Sequence, residues 1–459
     1  MDTEPDERGI KRMKQMEKQN LFEQGSIRKT YITLAMPVTL SMVLSVVYNV
    51  ADTYFIASAQ DTNMVAAVSL CAPVFMLLMA FGNIFGQGGT SLISRLFGKQ
   101  DTEGTKQVSA FCFYAALLCG AVIGGTMLIF HDPLLWLLGA NEETYGSAYA
   151  YFMTLAVGGP LVVANFIHMN LLRAEGMSRE SMLGSVSGLV VNIILDPIFI
   201  SVLGWGAFGA AFASVIGYAC SDVFLLLVVL KKSKILSVDV RKALIPGKDV
   251  LDICAIGVSA ALTNIMSSVS LIVLNHFLLP YGNSQVAAMG IAQKVSMIIL
   301  LVLTGMSFGA APIVGYYYGG RKYEKLKELL RFLLRVVGST AVVMTVILFF
   351  LARPCIGIFL QDEAIIQTGV TMLRWYIVTM ALAAGVMIIT ICFQASGKAL
   401  EALIASVCRQ GVIFIAVIAI ASAAAGYTGV LAAQAVTDVI TILLLGALFW
   451  KRFYCTLHD

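Results

Sequence analysis

The sequence predicts an all-α membrane protein whose twelve transmembrane helices form two parallel lobes of six helices each. Hydrophobic residues make up 59% of the 459-residue chain and charged residues only 13%, about half the charged fraction of a soluble domain. Long apolar segments follow one another along the chain, and landmark residues of the first half recur in the second at one spacing. This composition leaves no segment for a sizeable water-soluble domain.

Twelve apolar segments are long enough to cross the roughly 30 Å of hydrocarbon in a bilayer. Six precede a polar linker and six follow it: 31–56, 64–88, 107–130, 148–172, 181–203 and 206–230, then 250–279, 286–316, 328–352, 370–394, 400–421 and 427–450. The predicted parts of the chain are a cytoplasmic N-terminal tail (1–30), an N-lobe (31–230), a basic cytoplasmic linker (231–249), a C-lobe (250–450) and a cytoplasmic tail (451–459).

Loops rich in lysine and arginine alternate along the chain with loops that have few or none. This alternation predicts the direction in which the helices cross the membrane. The N-terminal tail holds seven of them and the linker six. Five of the alternate loops contain no lysine or arginine: 57–63, 131–147, 203–205, 280–285 and 422–426. Arg353 is the one exception to the pattern. Because basic loops stay on the cytoplasmic side of a membrane, both termini are predicted to be cytoplasmic.

The two halves of the chain are related by a repeat. Shifting the chain against itself by 221 residues places Gly88 on Gly309 and Pro133 on Pro354. The equivalent helices have the same orientation, so the repeat is parallel and its axis lies along the membrane normal. Two parallel lobes with a site within or between them are typical of alternating-access transporters.

Two aspartates lie at bilayer depth, each as the only charged residue of a long apolar segment. Asp52 is the only charge within 31–59, and Asp196 is the only one within 181–203. A carboxylate at that depth costs at least about 3 kcal/mol, which makes it a candidate for an ion or proton pathway. The repeat places a valine at both equivalent positions of the second half. The acidic site is therefore predicted to belong to the N-lobe alone.

Each aspartate has a hydrogen-bonding neighbour one helical turn away. Tyr48 precedes Asp52 by four residues and Asn192 precedes Asp196 by four, so each pair shares a helix face. Pro197 has no N–H to donate and disfavours helical geometry at the residue before it, which predicts a bend in the fifth helix. The oxygens of these groups suit a small cation, and the same group with one proton suits proton coupling. The sequence leaves H⁺ and Na⁺ both open.

Four ordered segments resemble motifs of one transporter family: 48–53 (YNVADT), 94–98 (SRLFG), 192–197 (NIILDP) and 312–319 (PIVGYYYG). They are similar to the MATE (multidrug and toxic compound extrusion) family, in particular to its prokaryotic branch of DNA-damage-inducible F and MepA-type pumps. The resemblance covers roughly residues 20–455. It implies a cation-coupled antiporter, in the plasma (inner) membrane of a prokaryote, that exports amphipathic and often cationic organic compounds.

The resemblance also implies roles for single residues. Four residues match the coupling-site motif of the family's N-lobe: Tyr48, Asp52, Asn192 and Asp196. Ser214 stands where the sixth helix often has threonine, and the substitution keeps the hydroxyl. Oxygens of Asp52, Asn192 and Asp196 are the implied ligands if the coupling ion is Na⁺. Bending near Pro197 is implied to reshape the cavity of the N-lobe.

The substrate cavity has four candidate residues: Asn49, Tyr151, Gln293 and Lys294. Lys294 is explained equally well as a cavity charge and as a salt-bridged or snorkelling lysine. Its possible partner is Asp438 in the twelfth span. Asp222 in the sixth span and Asp438 fit structural roles better than substrate binding.

The nearest alternative function is a lipid-linked precursor flippase of the same superfamily, which commonly has extra spans or a strongly cationic cavity. An ion channel is a further alternative. The sequence has no Walker motif, no clustered metal-binding acids and no nucleophile paired with a base. We therefore expect neither an enzyme nor an ATP-driven pump, no cofactor besides the coupling ion, no nucleic-acid partner, and a functional monomer.

Overall fold

The computed structural model describes residues 22–23, 25–58, 61–359 and 362–457, and these residues are mostly helical, without a strand. Most of the predicted N-terminal tail lies outside the described residues. The first half, which we call the N-half (27–232), contains six long helices. They are α1 (Ile27–Ser58), α2 (Thr62–Gly98), α3 (Thr102–Ile129), α4 (Tyr145–Ala174), α5 (Ser178–Asp196) and α6 (Gly206–Lys232). A short helix, His131–Leu137, precedes α4, and a π-helical turn, Pro197–Val202, extends α5.

The C-half (247–457) has the same general plan with more interruptions. Its helices are α7 (Gly247–Leu278), α8 (Asn283–Gly319), α9 (Tyr323–Phe350), α10 (Glu363–Ile377), α11 (Met380–Ala395), α12 (Ala399–Val407) and α13 (Ile413–Arg452). A short helix, Ala352–Gly357, follows α9, and a π-helical turn, Cys408–Val412, joins α12 to α13. The axes of α10 and α11 differ by 42°.

Ten helices in the described part of the chain are long and apolar enough to cross a membrane, or eleven if α10 and α11 form one bent span. The last of the ten runs from Ala399 to Thr456 and is interrupted at Gly426. The backbone there has φ 54° and ψ −130°, a conformation that glycine adopts without steric cost. A Cβ added to Gly429 would collide with the carbonyl group of Ala421. The chain therefore folds back on itself around Gly426.

Two N-half helices and two C-half helices form most of the contact between the halves: α1 and α2 on one side, α7 and α8 on the other. Glycines allow the closest approaches. A Cβ added to Gly309 would collide with Ala35, and one added to Gly257 would collide with the carbonyl group of Ile84. The hydroxyl of Tyr31 also donates to the carbonyl oxygen of Met306 at 3.1 Å.

These close approaches all lie toward one end of the bundle, which we call the basic side because the 99–101 loop and the 233–246 linker are there. Glu103, beside the loop, accepts from Lys242 of the linker at 2.8 Å. Phe22 is fully buried on this side, where its ring stacks on Tyr316 of the C-half and meets Phe97 of the N-half edge-on. Residues before α1 thus help to close the basic side.

The two halves separate toward the opposite end. Gly305 of α8 approaches the backbone of Thr39 in α1, but Ile298, two turns further out on the same face of α8, is 51% exposed. The second contact, between α2 and α7, opens in the same way. Leu77 lies on α2 two turns from Ile84 and is 48% exposed. The four helices therefore wall a cleft that is closed at the basic side and open at the other.

Candidate cation-coupling site

The two predicted aspartates come together inside the N-half. Asp52 lies near the middle of the second half of α1, and Asp196 is the last residue of α5, which packs against α1. Their carboxyl groups lie within hydrogen-bonding range of each other. The side chain of Asp196 is fully buried. A residue separation of 144 along the chain becomes a direct side-chain contact.

Asn192 and Ser214 support Asp196. With its amide nitrogen toward Asp196, Asn192 donates to Oδ2 at 2.9 Å, and its amide oxygen accepts from Oγ and the backbone N of Ser214 at 3.1 and 3.0 Å. In the opposite orientation the nitrogen donates to Ser214 Oγ at 3.1 Å, and the amide oxygen then faces the carboxylate. The side chain of Tyr48 lies within electrostatic range of Ser214 and of both aspartates.

One carboxylate oxygen at the centre of the site has no donor. Asp196 Oδ1 is buried and finds no hydrogen-bond donor among the side chains that the structure describes, apart from what a protonated Asp52 would supply. A carboxylate only accepts hydrogen bonds, whereas a carboxylic acid also donates one. Two facing carboxyl groups can therefore hydrogen-bond when they hold one proton between them. A small cation between them would satisfy the same oxygens.

The backbone changes its hydrogen-bonding pattern directly after Asp196. Pro197 begins the π-helical turn that runs to Val202, as expected where a proline removes a regular helical hydrogen bond. π-Helical turns occur frequently at functional sites. The predicted irregularity is therefore next to the carboxylate. It takes the form of a widened π-helical turn, and the span 178–202 remains one continuous helix.

A tyrosine that the sequence analysis missed belongs to the same region. Tyr151, a predicted cavity residue, and Tyr218 both lie within electrostatic range of Asp52. Tyr218 follows Ser214 by four residues and precedes Asp222 by four, so the three share one face of α6. This polar stripe in an apolar helix is the signal that could have found it.

Asp222 extends this stripe toward the basic side. Asn165 of α4 donates to Asp222 Oδ1 at 3.0 Å and to Ser221 Oγ at 2.7 Å. Asp222 Oδ2 is buried and has no donor among the described residues. Polar groups therefore continue from the aspartate pair along α6.

Of the other predicted cavity residues, one lies a helical turn before Asp52 and two lie in the other half. Asn49 is exposed, and its amide donates to the carbonyl oxygen of Ser45 in its own helix at 2.7 Å. Gln293 is half-buried, and Lys294 is exposed on α8 in the other half. The suggested pairing of Lys294 with Asp438 is wrong, because Asp438 is paired with Arg409.

Asp438 forms the centre of a buried cluster in the C-half. Its Oδ1 accepts from Arg409 Nε at 2.9 Å and from Gln434 Nε2 at 3.2 Å, and its Oδ2 accepts from Thr379 Oγ1 at 2.8 Å. Thr379 lies at the bend between α10 and α11, and Arg409 lies in the π-helical turn after α12. One carboxylate therefore joins the irregular points of two spans.

Among the described residues, no three His, Cys, Asp or Glu side chains converge as a metal site. The two carboxyl groups and the neutral groups around them are hard oxygen donors, and two facing carboxyl groups can also share one proton.

The family follows from a comparison with known proteins. A model of the MatE family matches the chain twice, over residues 37–198 and 259–420. The chain belongs to the MatE family. The two matches begin at 37 and 259, one in each half, at nearly the spacing of the sequence repeat. A membrane transporter built from two related halves agrees with the arrangement of helices around the cleft.

Relatives and solved structures of the MatE family cover almost the whole chain. The multidrug export protein MepA of Staphylococcus aureus (strain MRSA252) is 32% identical over 411 residues, which are 89% of this chain and 90% of MepA. MepA of Staphylococcus saprophyticus is 31% identical over 423 residues, 92% of this chain and 93% of that one. The fold is similar to the outward-facing conformation of a multidrug resistance MATE transporter, with a TM-score of 0.89, 26% identity, and 96% and 98% of the two chains covered.

Proposed function

We propose that this MatE protein exports amphipathic, often cationic organic compounds in exchange for H⁺ or Na⁺, by alternating access. The observation that carries the proposal is the pair of half-buried Asp52 and buried Asp196, whose carboxyl groups face each other with one oxygen lacking a donor among the described residues. The names of the MepA relatives support multidrug export as the activity. Asp52 and Asp196 are the proposed ion-coupling residues, and the turn at Pro197 is the proposed hinge.

Twelve spans and cytoplasmic termini are part of the proposal. The bent pair α10 and α11 supports one span, and the reversal at Gly426 supports two spans between 399 and 452. The basic loops support a cytoplasmic location for the basic side. In that orientation the cleft is closed to the cytoplasm and open to the outside. Alternating access then requires the N-lobe and C-lobe to separate at the basic side and to meet at the other.

The Asn192 amide can serve either ion. With its nitrogen toward Asp196, it donates to the carboxylate beside a shared proton. With its nitrogen on Ser214 and its oxygen toward Asp196, it offers a further oxygen to Na⁺.

The proposed coupling is tested with reconstituted vesicles and a fluorescent cationic dye. Dye movement is measured under a pH gradient, a Na⁺ gradient, and neither. Asp52→Asn and Asp196→Asn are each expected to lower gradient-driven transport more than tenfold, because an amide neither releases a proton nor neutralises a cation. Asp249→Asn, on the basic side outside the site, is the control and is expected to transport normally. Full gradient-driven transport by either site variant would refute the coupling assignment.

A further inference from the structure

Lys294 is an isolated cation within a long apolar helix, eleven residues after its first residue, Asn283. It is the only charged residue of α8, which runs from Asn283 to Gly319. It is exposed, and the described residues give it no ion pair and no side-chain hydrogen bond. A charge at membrane depth is normally paired or lines a water-filled path.

Helix geometry places Lys294 on the wall of the cleft. It precedes Gly305 by eleven residues, which is about three turns, so both lie on one face of α8. Gly305 touches Thr39 of α1 where the halves meet. Between them on that face, Ile298 is 51% exposed. A Cβ added to Gly290, one turn beyond Lys294, would meet no described atom within 4 Å. The ammonium therefore points into the open part of the cleft, toward the N-half.

No acid among the described residues is available to neutralise it. Asp52 follows Thr39 by thirteen residues, which turns it to nearly the opposite face of α1, toward Asp196. Asp438 is only 1% exposed and is held by Arg409. The C-half wall of the cleft also carries a neutral polar residue, Asn264. It lies on α7 two turns from Gly257, on the face that meets the N-half, and it is exposed.

We propose that Lys294 binds a carboxylate of the transported compound, so that zwitterionic amphiphiles are preferred over purely cationic ones. The inference rests on the proposed transport function and specifies its substrate class. While the cleft is open, water solvates the ammonium. When the cleft closes around its cargo, an unpaired ammonium loses that water at a large cost, and a substrate carboxylate removes the cost.

The charge of the site decides between a carboxylate and a phosphate. Away from their ends on the basic side, the four helices that wall the cleft carry no lysine or arginine other than Lys294. One ammonium balances one negative charge, which fits a carboxylate. A lipid-linked diphosphate would need several cations.

Rhodamine 110 and rhodamine 123 test the proposal as a matched pair, because the second is the methyl ester of the first. At neutral pH the acid is a zwitterion and the ester a cation. Fluorescence polarisation with the purified full chain gives the Kd of each dye. We expect wild type to bind the acid more tightly. Lys294→Gln should weaken acid binding about tenfold, the loss expected for a charge-assisted contact, and change ester binding less than twofold.

Two further variants complete the test. Lys294→Arg should restore acid binding, and Lys294→Glu should reverse the preference in favour of the ester. Equal effects of Lys294→Gln on both dyes, no effect on either, or wild-type binding without preference for the acid would overturn the proposal. The proposed antiport is judged separately by gradient-driven movement of either dye in vesicles. A chain that binds the acid through Lys294 but moves no dye would refute the antiport alone.

Discussion

Asp196 and Asp438 are both buried, but they differ in how many of their carboxylate oxygens accept a hydrogen bond. Asp438 has three donors and a fixed positive partner. Asp196 has one oxygen without a donor and faces a second carboxylate. A buried group that lacks a partner costs about 1–3 kcal/mol, and a proton or cation that binds there recovers that cost. Asp196 is therefore the better candidate for the proposed coupling ion, because the oxygens of Asp438 already have donors.

Asn192→Leu tests the support of the acidic site. The change leaves Asp196 without its amide donor and removes the acceptor of Ser214. We therefore expect the free energy of unfolding to fall by about 1–3 kcal/mol and gradient-driven transport to be lost. Gln367→Leu is the matched control, because that amide is exposed, lies outside both predicted sites and bonds to Glu363 of its own helix. Thermal unfolding and dye transport are measured for both. Equal behaviour of the two variants would contradict the assigned role of Asn192.

A double-mutant cycle tests the cluster of the C-half. Asp438→Leu or Arg409→Leu leaves an uncompensated buried charge, and each is expected to destabilise the protein by about 3–5 kcal/mol. The double variant removes both charges and should recover most of that loss. Thermal unfolding in detergent gives the three values. Additive losses in the double variant would mean that the two side chains do not act as a pair.

At the scale of the helices, equivalent crossings of the two halves are built differently. Gly188 of α5 and Gly217 of α6 meet backbone to backbone. The repeat of 221 residues places Arg409 and Asp438 at the equivalent positions, and these form a buried ion pair. The crossing of the N-half is therefore close, with no side chain at the two equivalent positions, whereas the C-half has an ion pair there. This difference supports the N-half as the part that changes shape.

Gly188→Ala tests the close crossing. The added Cβ would lie 2.7 Å from the carbonyl oxygen of Gly217, so α5 and α6 must move apart, at a cost of about 1–3 kcal/mol. Gly338→Ala is the control, since a Cβ there meets no described atom within 4 Å. It should leave stability unchanged or raise it by up to about 1 kcal/mol, because alanine favours the helix. Thermal unfolding distinguishes the two, and a stable Gly188→Ala protein would count against the close crossing.

At the scale of the whole molecule, the closed basic side is held by contacts between the halves. Arg95 of α2 forms an ion pair with Asp252 of α7 at 2.7 Å, and Glu23 accepts from Lys322 at 2.9 Å. The Lys322 ammonium holds the pKa of Glu23 below its usual value. The contact between Glu23 and Lys322 is therefore intact at neutral pH, and its contribution to stability falls as the pH drops from the usual pKa of a glutamate to the lowered one.

Cross-linking tests which side is closed. In a cysteine-free background, Arg95→Cys with Asp252→Cys should react with a short bifunctional thiol reagent, and the link should stop transport until it is cleaved. Leu77→Cys with Asn264→Cys is the control pair, on the same helix faces further out. It should stay unlinked in the conformation described. Linking of the outer pair with no reaction of the inner one would contradict the closed basic side.

Much of this protein could be predicted from its sequence because the bilayer limits what a chain can do. Apolar length predicts spans, of which the described residues show ten or eleven. Loop charge predicts their direction, and the cost of a carboxylate at membrane depth marks Asp52 and Asp196. Spacing of four residues correctly joins Asn192 to Asp196. These are local properties, and each can be read from a short stretch of chain.

The remaining features depend on contacts between residues far apart in the chain, and only the tertiary structure decided them. The pairing of Asp438 with Arg409 instead of Lys294, the place of Tyr218 beside Asp52, and the free side chain of Lys294 on the cleft wall follow from how helices rotate and pack. A helix sequence specifies which residues share a face, but its neighbours decide what that face meets. The sequence therefore determined where the buried charges are, and packing determined which of them are neutralised.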